Sequence, residues 1–126
     1  MDAIEFEDAA QWDAWLAANH DRRTEIWLKI PKKGSGLTSL TITEALDGAL
    51  CWGWIDSHRR GLDGTHFLQR YSPRRAKSPW SKVNVAKVEA LAAANRLRAP
   101  GLAAIAAAKA DGRWYANTTR PAAGRE

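Results

Sequence analysis

A single cysteine, Cys51, stands among 126 residues, so no disulfide can form within the chain and packing must hold the fold. That cysteine usage fits a reducing compartment. No apolar run comes near the ~20 residues needed to cross a bilayer. The acidic opening, Met1-Asp2-Ala3-Ile4-Glu5-Phe6-Glu7-Asp8, lacks the basic region and apolar stretch of a secretory signal. The expected location is therefore the cytoplasm. His58 and His66 have no evident third ligand, so no metal centre is expected, and nothing in the sequence implies a cofactor. The Lys-Lys-Gly-Ser-Gly segment at 32–36 lacks the G-x-x-x-x-G-K-[ST] spacing of a phosphate-binding loop.

What is present is an ordinary globular balance, 45% hydrophobic and 26% charged, with an unusual seven tryptophans. Tryptophan combines a large apolar surface with one N–H that needs a partner, so it serves cores and binding pockets alike. The net charge of +5 is unevenly spread. Residues 1–25 hold seven acids against two arginines, whereas residues 58–87 hold eight Lys/Arg against Asp63 alone. A basic segment on a folded domain points to an anionic partner, or simply to a solvated surface.

The pattern along the chain predicts alternating helices and strands. Ile4–Glu7 reads as a short strand. Asp8 and Gln11 have the form of a capping box ahead of a helix carrying Trp12, Trp15 and Leu16 and ending near Asn19–His20. Ile26, Leu28 and Ile30 alternate along a strand. Thr41 and Glu44 form a second capping box before an amphipathic helix that Gly53 stops. Trp54–Arg60 and Thr65–Ser72 read as a hairpin around Asp63-Gly64. Ser78 and Pro79 suit the N-cap and first residue of a helix running to about Arg98, where Pro100 breaks it. An alanine-rich helix over 101–110 follows. The expected fold is α+β: a small, mostly antiparallel sheet packed by three to four helices in one domain over residues 1–114. Residues 115–126 read as a flexible tail.

Symmetric pairing about the turn would set Arg60 against Thr65, His58 against Phe67, Asp56 against Gln69 and Trp54 against Tyr71. One face would then carry Trp54 and Tyr71 as aromatic walls around Asp56, His58 and Gln69. In this region Leu50-Cys-Trp-Gly-Trp-Ile-Asp56, Phe67-Leu-Gln-Arg-Tyr-Ser-Pro-Arg-Arg75 and Trp80-Ser-Lys-Val-Asn84 occur in order. Together with the Trp-containing first helix, the Lys-Lys-Gly-Ser-Gly loop, Gly101-Leu and Asp111-Gly-Arg-Trp114, they resemble the successive motifs of the YdeI/OmpD-associated bacterial proteins over roughly residues 5–114. Such relatives typically continue with a further helical segment, to which the bacteriocin-protection label largely attaches, and this sequence has no counterpart of it. The resemblance implies a fold more than an activity.

The residues themselves suggest a pocket. Arg70, Arg74 and Arg75 can offer guanidinium forks to a carboxylate or phosphate. Ser81 and Asn84 lie one turn apart at a helix start, where backbone N–H groups and the dipole favour an anion. With Trp54, Trp80, Asp56 and Gln69 they describe a site for an aromatic or anionic small molecule, or a peptide, held by a sequestering binding protein. The competing structural reading makes Trp54 and Trp80 core, Ser81 and Asn84 a helix cap, and the arginines partners of Asp56 and the acidic N-terminal part. Two other functions stay open. One is a small enzyme using Asp56 and His58 as an acid–base pair. The other is a protein-interaction or single-stranded nucleic-acid-binding module in which Phe67, Tyr71 and Trp80 stack on bases. Cys51, on the apolar side of a helix, is expected to be buried and inert.

Overall fold

The alternation at residues 26–31 is carried through into a central strand, and the rest of the chain is arranged around it. The computed structural model describes residues 3–115. The elements are β1 (Ala3–Ile4), α1 (Ala9–Asn19), β2 (Ile26–Pro31), α2 (Ile42–Cys51), β3 (Trp54–Gly61), β4 (His66–Pro73), α3 (Lys82–Ala93) and α4 (Ala99–Ala110). The four strands form one sheet in the order β1-β2-β4-β3. β2, β4 and β3 are antiparallel neighbours, whereas β1 lies parallel to β2. Two parallel strands need a crossover, and α1 supplies it. The fold is α+β with four helices and a mixed, mostly antiparallel sheet. No helix among the described residues is long and apolar enough to cross a membrane. The tail expected over 115–126 lies, beyond Tyr115, outside the described residues.

Both capping signals are realised. Asp8 accepts the N–H of Gln11 at 2.9 Å, although the Gln11 side chain reaches back to the N–H of Glu7 rather than to that of Asp8. Thr41 and Glu44 exchange both bonds of a capping box, at 3.0 and 3.1 Å. The α3 start differs from expectation. Ser81, not Ser78, is the N-cap and accepts the N–H of Asn84, while the Ser78 hydroxyl accepts from Arg74. That helix also ends early, at Ala93, where Asn95 adopts φ +58°. Asn tolerates the left-handed region better than most residues, so it stops a helix there. Pro100 then falls in the first turn of α4 and starts a helix instead of breaking one.

Two apolar clusters result. The first fills one sheet face: Ile26, Leu28, Ile30, Trp54 and Tyr71 meet Trp12 and Leu16 of α1 and Ala45 and Ala49 of α2. The second lies among α2, α3 and α4, where Leu50 and Cys51 meet Trp80, Val85, Val88, Leu91, Ala108 and Trp114. The joint between α2 and α4 is tight. A Cβ on Gly101 would stand 2.4 Å from the carbonyl oxygen of Cys51, so only glycine permits this approach.

The hairpin register is not symmetric about the turn. Trp54 pairs with Pro73, Asp56 with Tyr71, Arg59 with Gln69 and Gly61 with Phe67, with a register shift between Asp56 and Arg59. The expected pairs are thus displaced by two residues before the bulge and by three after it. The cause is local. The Asp63 carboxylate accepts the N–H groups of Thr65 and His66, both at 2.9 Å, and the turn spans residues 62–66 between the paired Gly61 and Phe67 instead of the four residues Gly61–Gly64 expected. The bulge also removes the expected Asp56–His58 alternation: Asp56 stays half-buried beside Tyr71, while His58 is exposed.

Candidate functional site

A cleft of about 320 Å³ opens where the α2–β3 turn, the end of β4 and the first turns of α4 converge. Trp52, Trp54 and Trp80 supply its aromatic lining, Arg74, Arg75 and Arg113 its cations, and Pro100, Ala103, Ala104 and Ala107 a low apolar wall. No Asp or Glu is among the lining residues. The volume lies at the lower end of the range for small-molecule clefts.

Arg74 is the centre of this arrangement. It follows directly on β4, and its backbone N–H is fixed to the carbonyl of Gly53 at 3.0 Å. Its guanidinium lies 3.6 Å from the centroid of the Trp80 ring, a close cation–π contact. Nη1 donates to the Ser78 hydroxyl and the Pro79 carbonyl, both at 3.0 Å. Nε and Nη2 are buried and have no acceptor among the described residues. Burial pulls its pKa down from 12.5 to about 10; the Asp56 charge opposes this and the Arg113 charge adds to it. At neutral pH the group is still a cation. Its charge is poorly solvated and has no carboxylate in ion-pair contact among the described residues.

Neighbouring groups hold the rim in place. Arg113 grips Asp111 through Nε at 2.7 and 2.8 Å and donates Nη1 to the Ser78 carbonyl at 2.8 Å. Trp52 donates its indole N–H to Asp13 at 2.8 Å, and the His20 ring packs on it at 4.7 Å. Trp54 and Trp80 are only 1% and 2% exposed. They are core residues that also reach the cleft, so the expected distinction between core and pocket tryptophans does not hold here.

Of the nine residues singled out in the sequence, Trp54, Arg74, Arg75 and Trp80 share this cleft. The other five are elsewhere or otherwise engaged. Arg70 is bound to Glu25 at 2.6 Å and to Ser57 at 3.1 Å. It lies on the opposite sheet face, because its neighbours Gln69 and Tyr71 point into the core. Gln69, 2% exposed, spends its amide on the bulge: Nε2 donates to the carbonyl of His58 at 3.1 Å, and Oε1 accepts from Nε of Arg59 at 2.9 Å. Asp56 is paired in register with Tyr71. Its charge, together with burial, pushes the Tyr71 phenol above its ordinary pKa, burial being the larger cause. Ser81 and Asn84 form the cap of α3 and do not line the cleft.

Sequence reasoning missed Trp52, Arg113, His20 and the α4 wall. Trp52 and Arg113 stood within the motifs quoted above. The alanines of α4 carry no chemical signal, since only tertiary packing brings them to the site.

No curated protein and no solved structure matches this chain. A family model described as a domain of unknown function (DUF8412) matches residues 4–104, which takes in the sheet, α1 to α3 and the start of α4. The chain belongs to the DUF8412 family.

Proposed function

We propose that the protein binds a small aromatic or apolar anion, a carboxylate by preference, in the cleft between β4 and α4. One observation carries this reading. The Arg74 guanidinium is withdrawn from water against Trp80 with two nitrogens unpaired, in a cleft lined by two further arginines and no acid. An isolated buried charge is costly, and an arriving anion offsets that cost while its apolar body covers the tryptophans and alanines. Of the resemblance to YdeI/OmpD-associated proteins over roughly residues 5–114, three of the motifs lie between Leu50 and Asn84, the stretch that brings Trp52, Trp54, Arg74, Arg75 and Trp80 to the cleft. A sequestering role is the reading that the aromatic and cationic lining of the cleft supports.

Binding of a nucleic-acid backbone finds less support. Within the basic run, Arg70, Lys77 and Lys87 are ion-paired and Arg74 is half-buried against Trp80, so the run does not present one continuous track of free cations. The acid–base reading is weakened by the bulge that separates Asp56 from His58.

Calorimetric titrations with indole-3-acetate and with its neutral amide test the proposal. Saturable binding of the carboxylate, at least tenfold tighter than of the amide, is expected. The Arg74→Met, Arg75→Ala double variant should remove that preference while remaining folded, because replacing an unpaired buried charge by an apolar chain is close to neutral. Equal affinity for acid and amide, or undiminished binding by the double variant, would overturn it. Trp80→Ala is unsuited to the test, since emptying so buried a site destabilises the fold by roughly 3–5 kcal/mol.

A further inference from the structure

A second and larger cleft, about 690 Å³, lies on another part of the molecule, between the Lys32–Gly36 loop, the start of α2 and the end of the β3–β4 hairpin. Three cations line it, Lys32, Lys33 and Arg59, and no Asp or Glu does. None of the three has a carboxylate in ion-pair contact among the described residues. Two carboxylates bonded to lining residues are already engaged: Glu44 in the capping box with Thr41, and Glu5 with His66 and Ser39. The register shift in β3 matters here. It turns Arg59 onto the face of Gln69 and Phe67, where its Nε is anchored to Gln69 and its guanidinium lies 4.5 Å from the Phe67 centroid. The terminal nitrogens of Arg59 have no acceptor among the described residues and remain a free fork.

The opposite wall adds donors of a different kind. Gly34 and Gly36, which line the cleft, both adopt φ +81°, and the space beside each is open. The first residues of α2, Ile42 and Thr43, line the cleft, and their N–H groups have no intrahelical acceptor. The cations and the aromatic wall define the site; the helix end supplements them. Phe67 and the 48%-exposed Leu37 give it an apolar surface.

We infer that this cleft is a second binding site, separate from the Arg74 cleft, for a phosphorylated small molecule of about mononucleotide size. The phosphate would sit among Lys32, Lys33 and the Arg59 fork, and a flat apolar group would lie against Phe67 and Leu37. A phosphate is favoured over a carboxylate because three separate cations line one cleft with hydroxyls and backbone donors, matching several charged oxygens instead of two. The reading does not depend on what the first cleft binds.

The experiment is an amide ¹H–¹⁵N NMR titration of the full chain with AMP, adenosine and inorganic phosphate in turn, at low salt. AMP should give saturable shifts at Gly34, Gly36 and Thr41–Thr43, with an affinity at least tenfold above that of adenosine or phosphate alone. The Lys32→Glu, Lys33→Glu variant, altered only at exposed loop positions, should keep the wild-type spectrum elsewhere and lose at least tenfold in AMP affinity. No saturable shift at these amides, AMP binding no tighter than adenosine or phosphate, or undiminished AMP binding by the charge-reversed variant would each overturn the inference. Indole-3-acetate binding at the Arg74 cleft is read from different resonances, so the two sites succeed or fail separately.

Discussion

A Cβ on Gly48 would stand 2.6 Å from Cδ1 of Trp12 and 2.8 Å from its Nε1. The indole cannot step aside, since it is fully buried and its N–H donates to the Ala45 carbonyl at 2.8 Å. Glycine inside a helix ordinarily costs ~0.5–1 kcal/mol relative to alanine. Overpacking a fixed core costs about 1–3 kcal/mol. The second effect is the larger, so Gly48→Ala should destabilise the protein by on the order of 1–2 kcal/mol and lower its melting temperature by several degrees. A rise in melting temperature would mean that α2 can slide away from α1.

Cys51 offers a test of the second core cluster. It is 3% exposed, and burial raises its thiol pKa, with Asp13 and Asp47 adding to that and Arg96 and Arg98 opposing it. Both a shortage of thiolate and a lack of access slow attack on disulfide reagents. Native protein at neutral pH should therefore react with an aromatic disulfide reagent at least a hundredfold more slowly than the same protein in denaturant. Comparable rates would show that the contact between α2 and α4 opens readily.

The turn of the β3–β4 hairpin predicts a response to acid. Hydrogen bonds from the Thr65 and His66 N–H groups hold the Asp63 carboxyl below its ordinary 3.8. A group with a depressed folded pKa adds stability that is complete above the unfolded value and is lost as pH falls through the folded one. The melting temperature of Asp63→Ala should lie below that of the wild type by a constant margin from neutral pH down to about 5. The margin should then narrow as the pH falls below about 4. A margin unchanged at pH 2 would show that the carboxylate charge contributes nothing to the turn.

Much of this molecule could be read from local chemistry. Asp8, Thr41 and the alternating Ile26, Leu28 and Ile30 each act within a few residues of themselves, and their elements formed as read. Trp54, Arg74, Arg75 and Trp80, grouped in the sequence because they sit close together in the chain, line one cleft. What escaped depends on distant partners. The hairpin register was set by how Asp63 gathers N–H groups and by the Gln69 amide holding the bulge, and neither has a pattern in sequence. Pro100 looked like a helix breaker because nothing nearby distinguishes an interior proline from a first-turn one. The alanines of α4 reached the cleft only because Gly101 lets that helix meet the Cys51 carbonyl. The Lys32–Gly36 loop, compared only with a known nucleotide motif, gave no sign that Arg59 would face it across a cavity.

The sheet order leaves β1 and β3 at its two margins, and both are poor templates for another chain. β1 offers only Ala3 and Ile4. β3 is interrupted by its register shift and carries exposed His58, Arg59 and Arg60 along its outer half. A second molecule approaching either margin meets too few free backbone groups or the paired cations Arg59 and Arg60, so strand-to-strand stacking into fibrils is disfavoured from both sides. The irregularity that turns Arg59 toward a cavity therefore also makes this margin of the sheet a poor template for a further strand.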